Sequence, residues 1–322
     1  MALERVADGL PERPALMQSV RSHFIAHDFA ALEKMAGAAR NGARFTDGCW
    51  QLPMFYRAFI LKAETPETVW NAWLRLFDQW DKAVPGSITA RLARAEAWSG
   101  RASPRQLEPE QAARINDDLA EMRGILEASP AAKSCPGWYQ MMMWVARAQN
   151  CTKEEFERLF AAAVALAPDY ETFYFDKASW IATHPNEYGG EHAWAAFAEE
   201  SRALTSPALG SGMYARIVWS MLDKSPAEEA MENARLNTKE GVLKSHGVDW
   251  ETMKRGFEDL ERLYPGSMWN KNAFCFYAFC GNDRATTTRL LAELHDRFAP
   301  GIWPAEEYYS QVKEWARAGG VP

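Results

Sequence analysis

Almost the whole chain is written in one period. Apolar residues recur at intervals of three and four in segments of about 12 to 18 residues, each opened by a cap signal and closed by Gly, Pro or Asn. No run alternates as a strand would. The pattern predicts helices over 17–39, 50–63, 66–82, 87–98, 108–127, 137–149, 153–166, 170–182, 190–204, 210–222, 226–237, 250–263, 267–280, 283–297 and 304–317. Several starts carry a mechanism. In Thr65-Pro66-Glu67 and in Ser225-Pro226 an N-cap hydroxyl precedes a proline, whose missing N–H would lack a partner in the first turn anyway. Thr152 with Glu155, and Ser225 with Glu228, have the spacing of capping boxes.

The connections between these segments are short, and short loops make consecutive helices antiparallel neighbours. The helices also differ in kind. Segment 267–280, SMWNKNAFCFYAFC, is apolar nearly all round, as are 137–149 and 170–182, whereas 153–166 and 250–263 keep a wet face. All-round apolarity means burial on both sides, so a two-layer array is expected. Pro265-Gly266-Ser267 and Pro300-Gly301-Ile302 lie 35 residues apart, close to the tetratricopeptide period of about 34. The expected fold is all-α, an array of antiparallel αα-hairpins resembling a degenerate tetratricopeptide-like superhelix. The polar stretch SGRASPRQLEPE would mark off an N-terminal helical segment, 1–107, from a C-terminal tetratricopeptide-like segment, 108–322, within one continuous domain.

Longer phrases carry a resemblance: WQLPMFYRAFI at 50–60, PGSITARLARAEAW at 85–98, PGWYQMMMWVA at 136–146, YGGEHAWAAFAEE at 188–200 and VDWETMKRGFEDLERLYPGSMWNKNAFCFYAF at 248–279. Together the chain resembles the bacterial domain-of-unknown-function family 4034. The resemblance implies an all-α, tetratricopeptide-like bacterial protein and brings no catalytic residue with it.

Charge and composition exclude several classes of function. Lys and Arg number 36 against 43 Asp and Glu, a net charge of −7, which argues against a nucleic-acid binder that must neutralise phosphates over a broad face. The charge is uneven, since residues 1–110 carry 14 basic and 13 acidic groups and the remainder 22 and 30. A partner with a basic surface would be steered to the acidic part. No stretch of about 18 apolar residues occurs and Met1 to Pro14 is polar, so a cytoplasmic protein without a membrane span is expected, or a periplasmic one if a signal peptide has been removed. The five cysteines, Cys49, Cys135, Cys151, Cys275 and Cys280, show no C-x-x-C or Cys-His pairing and are read as buried thiols.

Motifs for chemistry are few. His184-Pro185-Asn186-Glu187-Tyr188-Gly189-Gly190-Glu191-His192 gathers two imidazoles and two carboxylates, but Pro185 and the glycine pair prevent one helical face from aiming both histidines at a metal. A loop is expected there, and no metal. There is no nucleophile elbow, phosphate-binding loop or dinucleotide fingerprint, so neither a catalytic residue nor a cofactor is assigned. The pairs Glu154-Glu155, Glu199-Glu200, Glu228-Glu229 and Glu306-Glu307 could in principle serve acid–base work. Three of the four fall in first helical turns, where negative charge suits the helix dipole.

Polar groups on otherwise apolar helices remain: Gln140, Tyr174, Lys177, Arg216, Asn270, Asn272 and Tyr277. Buried amides and charges must find partners, so these either bond within the scaffold or line a groove that a ligand completes. Carboxamides with Lys or Arg can hold a peptide backbone or a terminal carboxylate. The expected function is thus a non-catalytic, protein- or peptide-binding helical scaffold. The alternatives are an enzyme with an active site in the groove, and a partner-specific immunity or secretion-associated protein.

Overall fold

The computed structural model describes residues 3–102, 109–236, 238 and 241–318. The fold is all-α. Among the described residues there are seventeen α-helices, two 3-10 helices and one pair of two-residue strands. Many consecutive helices pack on one another, as do α12 and α14, which fits an array of hairpins. No helix among the described residues is long and apolar enough to cross a membrane.

The chain divides into two compact units, one made of 13–44 and 50–176 and the other of 1–12, 45–49 and 177–322. They are called here the N-terminal and C-terminal units. Residues 103–108, where the sequence suggested a boundary, lie outside the described residues. The helices flanking them, Ile88–Ser99 (α5) and Pro109–Glu127 (α6), pack together in the N-terminal unit.

The N-terminal unit begins with α1 (Glu12–Ile25), α2 (Phe29–Arg40), α3 (Leu52–Arg57) and α4 (Glu67–Ala83), and continues past α5 and α6 to α7 (Pro136–Ala148), α8 (Lys153–Leu166) and the first half of α9 (Glu171–Thr183). The spacing of Trp70, Trp73, Phe77 and Trp80 puts them on one buried face of α4. Phe24 meets the rings of Trp73 and Phe77 with centroids 4.8 Å away and that of Phe59 at 5.1 Å. The start of α5 is tied down by Glu33, which accepts hydrogen bonds from Ser87, Thr89 (2.7 Å) and the Trp80 indole (3.1 Å).

The C-terminal unit holds the rest of α9, then α10 (Pro185–Tyr188), α11 (Ala193–Leu209), α12 (Gly212–Leu222), α13 (Ala227–Arg235), α14 (Trp250–Leu263), α15 (Met268–Cys280), α16 (Arg284–Leu294) and α17 (Glu306–Ala318). Helix α15 is buried from Asn272 to Cys280, as its all-round apolarity predicts. Strand β1 (Glu4–Arg5) pairs in parallel with β2 (Arg297–Phe298).

Some predicted boundaries are corrected. The single helix expected over 17–39 is two, because His27 takes a left-handed φ of 59° and the Asp28 side chain caps α2 by accepting from the Ala31 N–H at 3.1 Å. The helix expected over 283–297 stops at Leu294, where His295 and Asp296 turn left-handed and lead into β2. Thr152 caps α8 and Ser267 caps α15 through their side chains. Pro66 and Pro226 themselves occupy the N-cap positions of α4 and α13, so neither Thr65 nor Ser225 does. Cys135, Cys275 and Cys280 are buried, but Cys49 and Cys151 are only half-buried.

Candidate functional site

Helix α5, ITARLARAEAWS, is rich in alanine, and small side chains let neighbours approach closely. Helices α3, α4, α6 and α7 all pack on it. Glu96 therefore lies on the central helix of the N-terminal unit and is only 8% exposed. It opens onto a cleft of about 580 Å³, within the size range of ligand sites.

Helical spacing explains how the lining is assembled. Met17 and Arg21 of α1, Met54 and Arg57 of α3, Glu96 and Ser99 of α5, Gln140 and Trp144 of α7, and Thr172 and Asp176 of α9 are each three or four residues apart, so each pair shares one helical face. Ile60, Leu61 and Lys62 close one side. That loop is held by Arg21, whose guanidinium donates to the carbonyls of Ala58 (2.6 Å) and Ile60 (2.8 Å) just beyond α3. Gln140 is fixed through its carbonyl oxygen, which accepts from the Tyr170 hydroxyl at 2.6 Å.

The two carboxyl groups dominate the chemistry. Burial pushes Glu96 up to about 7; Arg57 opposes the shift and the nearby Asp176 adds to it. Burial likewise pushes Asp176 up to about 6, against the pull of Arg147 and Arg57. Arg147 reaches Asp176 at 3.4 Å. The Glu96 carboxyl makes no hydrogen bond to the described residues, although a buried polar group normally has one. Two acids that change charge near neutrality, walled by methionine, isoleucine and tryptophan, can hold a cation or exchange a proton.

Of the seven residues singled out by sequence, Gln140 alone lines this cleft. Tyr174, in the same unit, donates to the Pro168 carbonyl at 2.5 Å. The other five fall in the C-terminal unit. Arg216 and Asn270 converge on the Asp47 carbonyl, at 2.6 and 3.0 Å. Asn272 donates to the carbonyls of Met268 and Arg297 and accepts from the Trp303 indole at 2.7 Å. Tyr277 donates to the Asp223 carbonyl at 2.7 Å. The Lys177 ammonium lies over the Phe197 ring, 5.0 Å from its centre.

The other candidates have structural surroundings. The His184 ring stacks on Trp180 at 3.8 Å, and His192 stands at the N-cap of α11. Among the described residues no three His, Cys, Asp or Glu side chains are grouped as metal ligands would be. Glu154-Glu155, Glu228-Glu229 and Glu306-Glu307 sit in the first turns of α8, α13 and α17, while Glu199 of the fourth pair is ion-paired with Arg202. Sequence reasoning looked for carboxylates adjacent in sequence and missed a pair 80 residues apart. The sequence carries a signal for Asp176: it is an acid on the apolar segment FYFDKASW, beside Lys177.

Comparison of the chain with family models, with curated proteins and with solved structures finds no match.

Proposed function

We propose that the protein is a non-catalytic helical scaffold of a bacterial cell, which captures a peptide segment of a partner protein in the cleft around Glu96. The observation that carries this reading is the cleft itself: about 580 Å³, in which methionine, isoleucine, leucine and tryptophan side chains alternate with polar and charged groups converging from five helices. Met17, Met54 and Met141 supply adaptable walls suited to side chains of varied shape. The Gln140 amide and the exposed Arg57 and Lys62 supply donors for peptide carbonyls. The resemblance to family 4034 is part of the same proposal.

The test is selection of peptides from a random dodecamer library on the wild-type protein, followed by measurement against Thr172→Trp. Thr172 is a half-buried lining residue, and an indole there fills the cleft. Selected peptides should bind the variant at least about tenfold more weakly, a loss of roughly 1.4 kcal/mol. Equal binding by the two proteins would remove the cleft from the function.

A second reading is favoured by the carboxyl pair, since an acid and a base titrating near neutrality suit general acid–base catalysis. It predicts that captured peptides are recovered chemically altered, and that Glu96→Gln abolishes the alteration. Peptides recovered intact would exclude it for those ligands.

A further inference from the structure

We infer that the group received at the floor of this cleft is a cationic side chain, lysine or arginine, of the bound peptide. The inference rests on the peptide-binding reading and names what the site selects.

Three observations converge on it. The charged group most withdrawn from solvent in the cleft is acidic: Glu96 is 8% exposed, whereas Arg21 and Asp176 are half-buried and Arg57 and Lys62 are exposed. The Glu96 carboxyl faces the cleft without a hydrogen bond to the described residues, so its bonding capacity is open to a ligand. Met17, Met54, Met141 and Trp144 then surround the approach to it. A methylene stem packs well on thioethers, and an indole face attracts the cationic head. An anionic ligand would have to approach two carboxyl groups to reach the same depth.

Charge in the cleft makes the capture proton-linked. The groups facing Glu96 are Arg21 from α1, Arg57 and Lys62 from α3 and its following loop, Asp176 from α9 and, through Asp176, Arg147 from α7. Among the described residues no histidine lines the cleft. Between pH 6 and pH 8 the carboxyls are the groups that change charge. An arriving ammonium or guanidinium donates N–H to the Glu96 carboxylate, and the proton held there at lower pH leaves to solvent. With Glu96 titrating at about 7, binding should be about tenfold tighter at pH 8 than at pH 6, the protonated fraction having to dissociate first.

The experiment is methyl NMR of the intact protein, reading Met17, Met54 and Met141, titrated with three capped tripeptides at pH 6 and pH 8. The peptides are acetyl-Ala-Lys-Ala-amide, its norleucine analogue and its glutamate analogue. The lysine peptide should bind at least about tenfold tighter than the norleucine peptide at pH 8 and lose about tenfold at pH 6. Glu96→Gln, which keeps the shape and removes the charge, should abolish the pH dependence and most of the preference, and Asp176→Asn should weaken the preference separately. If the norleucine or glutamate peptide binds as well as lysine, the cationic assignment is overturned while the cleft remains a peptide site. If lysine is preferred equally at both pH values, Glu96 is not its partner and the inference fails in that form. If no peptide moves these methyls, the peptide-binding reading itself falls.

Discussion

The carboxamide of Asn272 is fully buried and uses both its ends: its N–H groups reach the carbonyls of Met268 and Arg297, and its oxygen accepts from the Trp303 indole at 2.7 Å and the Ala299 N–H at 3.3 Å. Removing it leaves two buried donors without an acceptor, each costing about 1–3 kcal/mol. Asn272→Ala should therefore lower unfolding free energy by about 2–4 kcal/mol, measured by denaturant titration, and a loss under about 0.5 kcal/mol would show the network to be dispensable. The same rule, a polar group on an apolar helix, picks out both this scaffold residue and the cleft residue Gln140. Sequence shows that such a group needs partners; whether the partner is a carbonyl of the same chain or a ligand depends on distant segments. Glu96 escaped the rule altogether. With Arg91 and Arg94 nearby in ITARLARAEAWS it reads as one charge among several on a wet face, and only the crowding of four helices around α5 takes it out of water.

The loop at Ile60 and Leu61 comes so close to the end of α5 because a glycine follows that helix. An added Cβ on Gly100 would lie 2.1 Å from the Leu61 carbonyl oxygen and 2.7 Å from Ile60 Cγ2, so a larger residue must displace the loop that walls the cleft. Gly124, in the interior of α6, has nothing within 4 Å of the same position. Gly100→Ala should destabilise by more than about 1 kcal/mol and shift the methyl signals of the cleft methionines, whereas Gly124→Ala should stabilise by roughly 0.5–1 kcal/mol through helix propensity. Thermal unfolding of the two variants side by side checks the pair, and a neutral Gly100→Ala would mean that the loop yields freely. At this scale the sequence was readable to within a residue or two for most helices, since cap chemistry and period are local. It misled at 17–39, where one helical period runs through the Asp28 cap. It was silent on β1 and β2, whose two residues each leave no alternation to detect.

Across the whole molecule, the two units respond to pH in opposite senses. In the N-terminal unit Glu96 has its folded-state value raised from 4.5 to about 7, and Asp176 is raised from 3.8 to about 6, chiefly by burial. A raised acid binds more protons folded than unfolded, so its penalty is absent below pH 4.5, grows as pH rises, and is complete above about 7. For Glu96 it amounts to about 3 kcal/mol at most. In the C-terminal unit burial would raise Asp283, but hydrogen bonds from Lys254 and Thr286 outweigh it and hold the carboxyl at about 2. Lys271 and Arg289 lower Glu293 in the same way against burial. Stability from these groups is present above their unfolded values near 4 and is lost as pH falls toward 2. Stability should therefore peak between about pH 4 and 4.5 and decline toward pH 8, an acid-shifted optimum for a protein with a net charge of −7. Calorimetry from pH 3 to pH 8 can separate the limbs. Glu96→Gln should raise stability at pH 8 by about 1–3 kcal/mol and leave the acid limb in place, because a neutral amide has no proton to lose. Lys254→Met should flatten the acid limb alone, since Asp283 then loses the cation that lowers it. A wild-type optimum at pH 7 or above, unmoved by Glu96→Gln, would mean that Glu96 is ionised at no cost in the folded protein, and that a solvated carboxylate occupies the cleft floor.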